Sequence, residues 1–145
     1  MPYRPFEGQN CSIAAALAVI GERWTLLILR EILLGRRRFE DIRRHTGVAT
    51  NILSDRLETL TEHGVVERRG SEYMPTDKAR DATPVLVALQ QWGDRYDAPA
   101  GPPRVLVHAA CGHDTEPALQ CSHCAQPIAP RELRVRPGPG ALART

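Results

Sequence analysis

Lysine is nearly missing from this chain: of 19 basic side chains in 145 residues, 18 are arginine and only Lys78 is lysine. Aromatic residues are scarce, at 5%. The four cysteines are few and unevenly spaced, with one at Cys11 and three between Cys111 and Cys124, which excludes a disulfide scaffold. No apolar run approaches the roughly 20 residues of a membrane-spanning helix, so no membrane partner is expected. Residues 1–5 lack the apolar stretch of a signal peptide, which favours a reducing cytoplasm over secretion. Charge of one sign is also lacking: the formal net charge is +2, so no global positive field marks a nucleic-acid binder. Nor is there a Ser/His/Asp set, a paired carboxylate cluster or a phosphate-binding glycine loop, and an enzyme is not expected.

What is present fits a folded protein. Hydrophobic residues at 42% and charged residues at 25% match a globular chain, and the length suits one domain with a small appendage. The near-zero charge is a sum over unlike segments. Arg36, Arg37, Arg38, Arg43 and Arg44 crowd around only Glu40 and Asp41, and a second basic pair stands at Arg68 and Arg69. Guanidinium groups bind phosphates and guanine edges in bidentate fashion, so an arginine bias suits a DNA surface.

Proline divides the chain, because eight of the 12 prolines lie from Pro99 onward. Residues 1–97 read as one helical domain, 98–104 as a Pro/Gly linker, 105–137 as a Cys/His unit and 138–145 as a flexible tail. No internal repeat is evident. In the first part Ile13, Ala16, Leu17 and Ile20 recur at helical spacing. Residues 24–34 are apolar nearly all round, which marks a buried helix ended by Gly35. A short helix over 39–45 turns Phe39 and Ile42 inward, and a tight connection at 46–48 leads to a helix over 50–63. That helix has Leu53, Leu57 and Leu60 on one face and is closed by Gly64. Residues 65–69 and 72–74 are β-prone around Gly70 and Ser71, a hairpin. Val85, Leu86, Leu89, Trp92 and Tyr96 then form the stripe of a further helix begun by Pro84.

This order describes a mainly α winged helix-turn-helix with a small β-hairpin wing, in which the second helix of the pair enters a major groove of double-stranded DNA. Its leucines fix the opposite, N-terminal face as Thr50, Asn51, Ser54 and Asp55, with Arg56 flanking. Asn and Arg read adenine and guanine edges, while Ser and Thr suit phosphates. Arg36 to Arg38, Arg43 and Arg44 would meet the DNA backbone, and Arg68 and Arg69 would lie at the base of the wing.

Cys11, Trp24 through Glu31, Gly35, Arg38, Phe39 and Ile42 give the first half of a specific ordered pattern. Leu53, Arg56, Leu57, Leu60, Gly64 to Val66, Tyr73, Pro75 to Asp77, and Trp92 with Gly93 complete it. Over about residues 8–96 this pattern resembles the HxlR-type transcriptional regulators. The resemblance implies a homodimer joined through the helix around Ile13 to Ile20 and the helix from Pro84 to Tyr96. It also implies a repressor, or less often an activator, with two recognition helices about 34–36 Å apart on a pseudo-palindromic operator. Two departures stand out: the wing turn is only Gly70 and Ser71, and Ala79 stands where the family usually has glycine. Some regulators of this type sense oxidants or electrophiles through a cysteine at the position of Cys11. That chemistry needs a thiolate, which a helix N-terminus and the nearby Arg4 would favour. The alternative is a small apolar residue packed at the dimer seam. No residue set specifies a small-molecule effector.

The tail holds His108 and Cys111, nine further residues, then Cys121 and Cys124. Two such x2 knuckles can close a tetrahedral Cys3His zinc site, a zinc-ribbon-like unit with one zinc per chain. His113 and His123 are rival fourth ligands, and a disulfide or free thiols are the competing readings. Strands near residues 105–107 and 133–135 would frame it. With four protein ligands the metal would be structural; if its cysteines or Cys11 instead controlled DNA affinity, the protein would be a redox or metal sensor.

Overall fold

The computed structural model describes residue 6 and residues 8–141. Arg4 and the end of the tail, residues 142–145, lie outside the described residues. The chain divides into two compact units, residues 1–86 and 87–145, and the division falls inside one helix.

The first unit runs α1 (Ser12–Ile20), α2 (Thr25–Leu33), α3 (Phe39–Thr46), α4 (Thr50–Glu62), β1 (Val66–Arg69), β2 (Glu72–Pro75) and α5 (Asp77–Arg80), and reaches into α6 (Thr83–Tyr96). Its core is built from Ile28, Leu29 and Ile32 of α2, Ile42 of α3, and Leu53, Leu57 and Leu60 of α4. Val48, Val65, Val66 and Ala79 complete it. The apolar spacing in α2 and α4 therefore does what periodicity predicts: each helix buries one stripe against the others. Ala79, with only a methyl group, is fully buried in this core.

Local chemistry sets the helix ends. α3 is only eight residues long, but Glu40 and Asp41 occupy its first turn and Arg43, Arg44 and His45 its last, matching the helix dipole at both ends. At the end of α2, Gly35 takes φ +96, a left-handed conformation that L side chains rarely adopt. The turn lets Gly35 N–H reach Ile32 O (3.1 Å) and Arg36 N–H reach Glu31 O (2.9 Å), satisfying two terminal carbonyls. α4 ends the same way, with Gly64 N–H donating to Thr61 O and Val65 N–H to Leu60 O. Lys78 Nζ adds a hydrogen bond to His63 O, and Thr76 Oγ1 ties β2 back to Gly64 O and Val65 O.

β1 and β2 pair antiparallel with Val66 opposite Pro75 and Arg69 opposite Glu72, so Gly70 and Ser71 alone form the turn. Arg38 bridges to Glu72 and Tyr73 N–H donates to Arg37 O, which fastens the approach to α3 alongside the wing. Among the described residues no single helix is long and apolar enough to cross a membrane. α1 and α2 together pass by length and composition only, and they meet at a bend of 76°.

α6 buries no residue, and from Val87 through Ala141 none is buried. In this second unit β3 (Val107–His108) pairs with β4 (His113–Asp114), and a 3-10 turn covers Pro130–Glu132. The strand expected near residues 133–135 is not there: β3 finds its partner six residues on, and Val135 is fully exposed. A short loop closes at a smaller entropic cost than one of some 25 residues.

Candidate nucleic-acid interface

α3 and α4 form the helix-turn-helix. Gly47, at φ +73, makes the reversal, Thr46 Oγ1 donates to Ile42 O at 2.7 Å, and buried Val48 pins the turn to the core. Leu53, Leu57 and Leu60 lock α4 in rotation, so Thr50, Asn51, Ser54 and Asp55 all stand exposed on its N-terminal half. Ala49 supplies no side-chain cap, which leaves the first-turn N–H groups facing outward for an anion. Further along the same exposed face come Glu58 and Glu62. Their carboxylates repel phosphate, so the N-terminal half is the end suited to a groove.

The expected arginines are not equivalent. Arg38 and Arg44 are exposed with no ion pair among the described residues. Arg43 Nε lies 3.1 Å from Glu40 Oε2 and Arg69 Nε 3.1 Å from Glu67 Oε1; both pairs are exposed, weak and free to rearrange. Arg68 donates to Gly70 O and stacks over the Tyr73 ring at 5.6 Å. Arg36 and Arg37 are taken up by the protein. Arg36 Nη1 donates to Glu31 Oε2 at 2.8 Å, and Arg37 Nη1 contacts Met74 Sδ at 3.4 Å. Arg56 turns away from the exposed stripe. Its side chain is 27% exposed and its Nε lies 3.9 Å from Glu22 Oε2. Both line a cleft of about 870 Å³ that also includes Leu17, Val19, Asp55 and Glu58.

Glu31 is the residue that sequence reasoning missed. It is 1% exposed, inside a helix read simply as apolar, and both Arg30 and Arg36 bind it. An acid within a buried apolar run, five residues before an arginine cluster, is the signal that could have found it.

The apolar faces implied for dimerisation are open in the single chain. Ile13 and Leu17 are exposed on α1, as are Val85, Leu89, Trp92 and Tyr96 on α6. Cys11 is exposed at the N-cap of α1, and all four cysteines are unpaired. In the C-terminal unit Cys111 Sγ lies 3.4 Å from His108 Nδ1. The backbone N–H of Cys124, then that of His123 and the Cys124 thiol, hold the Cys121 thiol below the ordinary range. Each knuckle thus gathers its own pair, but among the described residues no three His, Cys, Asp or Glu side chains form a metal-holding group.

Three kinds of likeness accompany this geometry. The chain is 43% identical to the HTH-type transcriptional regulator Rv3095 of Mycobacterium tuberculosis over 147 residues, spanning 96% of this chain and 92% of that one. It is similar to the crystal structure of the candidate transcription factor PA1607, at 39% identity and TM-score 0.76, covering 89% of this chain and 96% of that one. The quinone-bound YodB of Bacillus subtilis aligns at 28% identity and TM-score 0.54, over 59% of this chain and 99% of its own. The HxlR-like helix-turn-helix family model matches residues 19–100, which takes in the helix-turn-helix, the wing and α6. With the fold, the leucine-locked second helix and the sequence match in agreement, the chain belongs to the HxlR-like helix-turn-helix family of transcriptional regulators.

Proposed function

We propose that the protein is a homodimeric repressor that reads a pseudo-palindromic operator through the N-terminal half of α4. The observation that carries this is the exposed set Thr50, Asn51, Ser54 and Asp55 on a helix fixed by three buried leucines. With it go Arg38 at the N-cap of the preceding helix and Arg44 within that helix, both exposed and without an ion pair among the described residues. Phosphate contacts from these arginines and the wing's Arg68 and Arg69 position the protein, while Asn51 reads a base edge. The second subunit is a copy of the chain, because α6 offers an apolar stripe with nothing buried beneath it.

Binding to duplex DNA from upstream of the protein's own gene tests the reading. Specific binding should fall steeply as salt rises, since each phosphate contact releases counterions. Equal, weak binding to that DNA and to unrelated duplexes would overturn it. Repression itself follows from a reporter fused to the bound promoter.

A second reading is supported by the likeness to quinone-bound YodB together with the exposure of Cys11 at the start of α1. Here a quinone or thiol oxidant modifies Cys11 and lowers operator affinity. Treated wild-type protein should release DNA while Cys11→Ser holds it; unchanged binding by the treated wild type removes the reading.

A further inference from the structure

Among its described residues the C-terminal unit has none buried, and a few dozen residues cannot hold a fold by apolar burial alone. Its backbone is nevertheless regular, and the regularity is a repeat that the sequence hides. In the first hairpin Thr115 N–H donates to Leu106 O (2.8 Å), Val107 pairs with Asp114, and Gly112 N–H donates to His108 O (2.7 Å). Thirteen positions later every element recurs. Ile128 N–H donates to Leu119 O (2.9 Å), Gln120 pairs with Pro127, and Ala125 N–H donates to Cys121 O (2.9 Å). Both turns end on a left-handed residue, Gly112 at φ +73 and Ala125 at φ +60. Apart from Phe6, Ala125 is the only non-glycine residue at positive φ among the described residues.

The repeat places His108 where Cys121 stands and Cys111 where Cys124 stands. His113 falls on Gln126, in a strand, and His123 on Ala110, inside the turn. The fourth donor, open between three histidines on spacing alone, is therefore His108. In the first knuckle the two donors are already paired. Cys111 Sγ and His108 Nδ1 are 3.4 Å apart, close to the roughly 3.6 Å between a sulfur and an imidazole nitrogen on one tetrahedral zinc. In the second knuckle the backbone holds the same frame, with Cys121 N–H donating to Gln126 O (2.9 Å) across the hairpin.

We propose that a single zinc ion draws together the two knuckles, whose donors are gathered as no more than pairs among the described residues, bound by His108 and Cys111 from the first and Cys121 and Cys124 from the second. Three thiolates and an imidazole select zinc over calcium or magnesium, and four protein ligands leave no open position for catalysis. The ion supplies the folding free energy that an apolar core supplies elsewhere. None of these four residues is among those assigned to DNA contact, so the failure of this proposal leaves the regulator reading untouched.

Full-length protein purified in reductant without chelator should carry about one zinc per chain. Cobalt added to the stripped protein should give the visible absorption of a tetrahedral thiolate site, displaced by zinc. His108→Ala, Cys111→Ser, Cys121→Ser and Cys124→Ser should each lower zinc affinity about tenfold or more, while His113→Ala and His123→Ala stay within about twofold. Helical circular dichroism of each variant reports whether the first unit is still folded. Metal-free protein as purified, an octahedral cobalt spectrum, full affinity in the Cys111→Ser/Cys124→Ser double variant, or loss in His123→Ala would each overturn the assignment.

Discussion

Arg36 is bound to Glu31 twice, by its backbone N–H to the Glu31 carbonyl at 2.9 Å and by its guanidinium to the Glu31 carboxylate at 2.8 Å. Arg30 holds the other carboxylate oxygen at 2.7 Å. The acid is buried, but both guanidiniums are about a third exposed, so the pair contributes less than a fully buried one. Glu31→Ala should lower the unfolding free energy by about 2 kcal/mol in urea titrations, and Glu31→Gln by less. The same change should weaken DNA binding, because the turn it frees leads straight to Arg38 and α3. A stability change under about 0.5 kcal/mol would show that the two contacts hold nothing in place.

Asn51 and Leu57 lie on the same helix and should separate recognition from folding. Leu57→Ala removes a fully buried side chain from the core and should cost about 2–5 kcal/mol of stability. Asn51→Ala, on the exposed face, should leave stability within about 0.5 kcal/mol yet cost about 1–3 kcal/mol of operator affinity. Wild-type affinity in Asn51→Ala would move base reading to another residue.

Arg44 and Arg56 make the parallel contrast for charge. Arg44 is exposed without an ion pair among the described residues, whereas Arg56 faces Glu22 across the cleft beside α1. Arg44→Ala should reduce the slope of log affinity against log salt by about 1, the signature of one lost phosphate contact. Arg56→Ala should leave the slope unchanged. A slope that falls for Arg56→Ala would return that side chain to the DNA surface.

These contrasts show where the sequence was legible. α1 to α4 and the wing follow from periodicity and turn chemistry, and their observed ends differ from expectation by a residue or so, as at Thr25 and Glu62. Arg56 was harder, since a helical wheel shows that it flanks the leucine stripe but not that the loop before α2 brings Glu22 to it. Arg37 was hidden for a similar reason: its partner Met74 is distant in sequence and reaches it only through the wing. The repeat in the C-terminal unit was invisible because only Leu106 with Leu119 and Cys111 with Cys124 coincide across the two hairpins. Backbone hydrogen bonds carry it.

Trp92 and Tyr96 bear on assembly. Each is 64% exposed and their rings lie 5.2 Å apart, forming an aromatic pair on the outward side of α6. A large apolar stripe left in water favours a second copy. Trp92→Ala should raise the dimer dissociation constant, and Leu89→Glu should give monomer in sedimentation experiments at micromolar concentration. Both variants should keep the helical signal. A monomeric wild type would show that this face has another use.

Ala125 adopts a left-handed backbone that Gly112 adopts freely at the matching place in the first knuckle. For an L side chain that conformation costs about 1–2 kcal/mol, and glycine would relieve it at an opposing cost of about 0.4–1 kcal/mol in chain entropy. The net gain of the Ala125→Gly change is therefore small and positive. If the second knuckle must take this shape to bind the ion, the gain appears as a two- to fivefold rise in zinc affinity, measured by competition with a chromogenic chelator. Cys121→Ser in the same background should abolish the rise, because glycine then relaxes a turn that no longer holds a donor pair. A lower affinity in Ala125→Gly would mean that the left-handed turn is not the metal-binding conformation of the second hairpin.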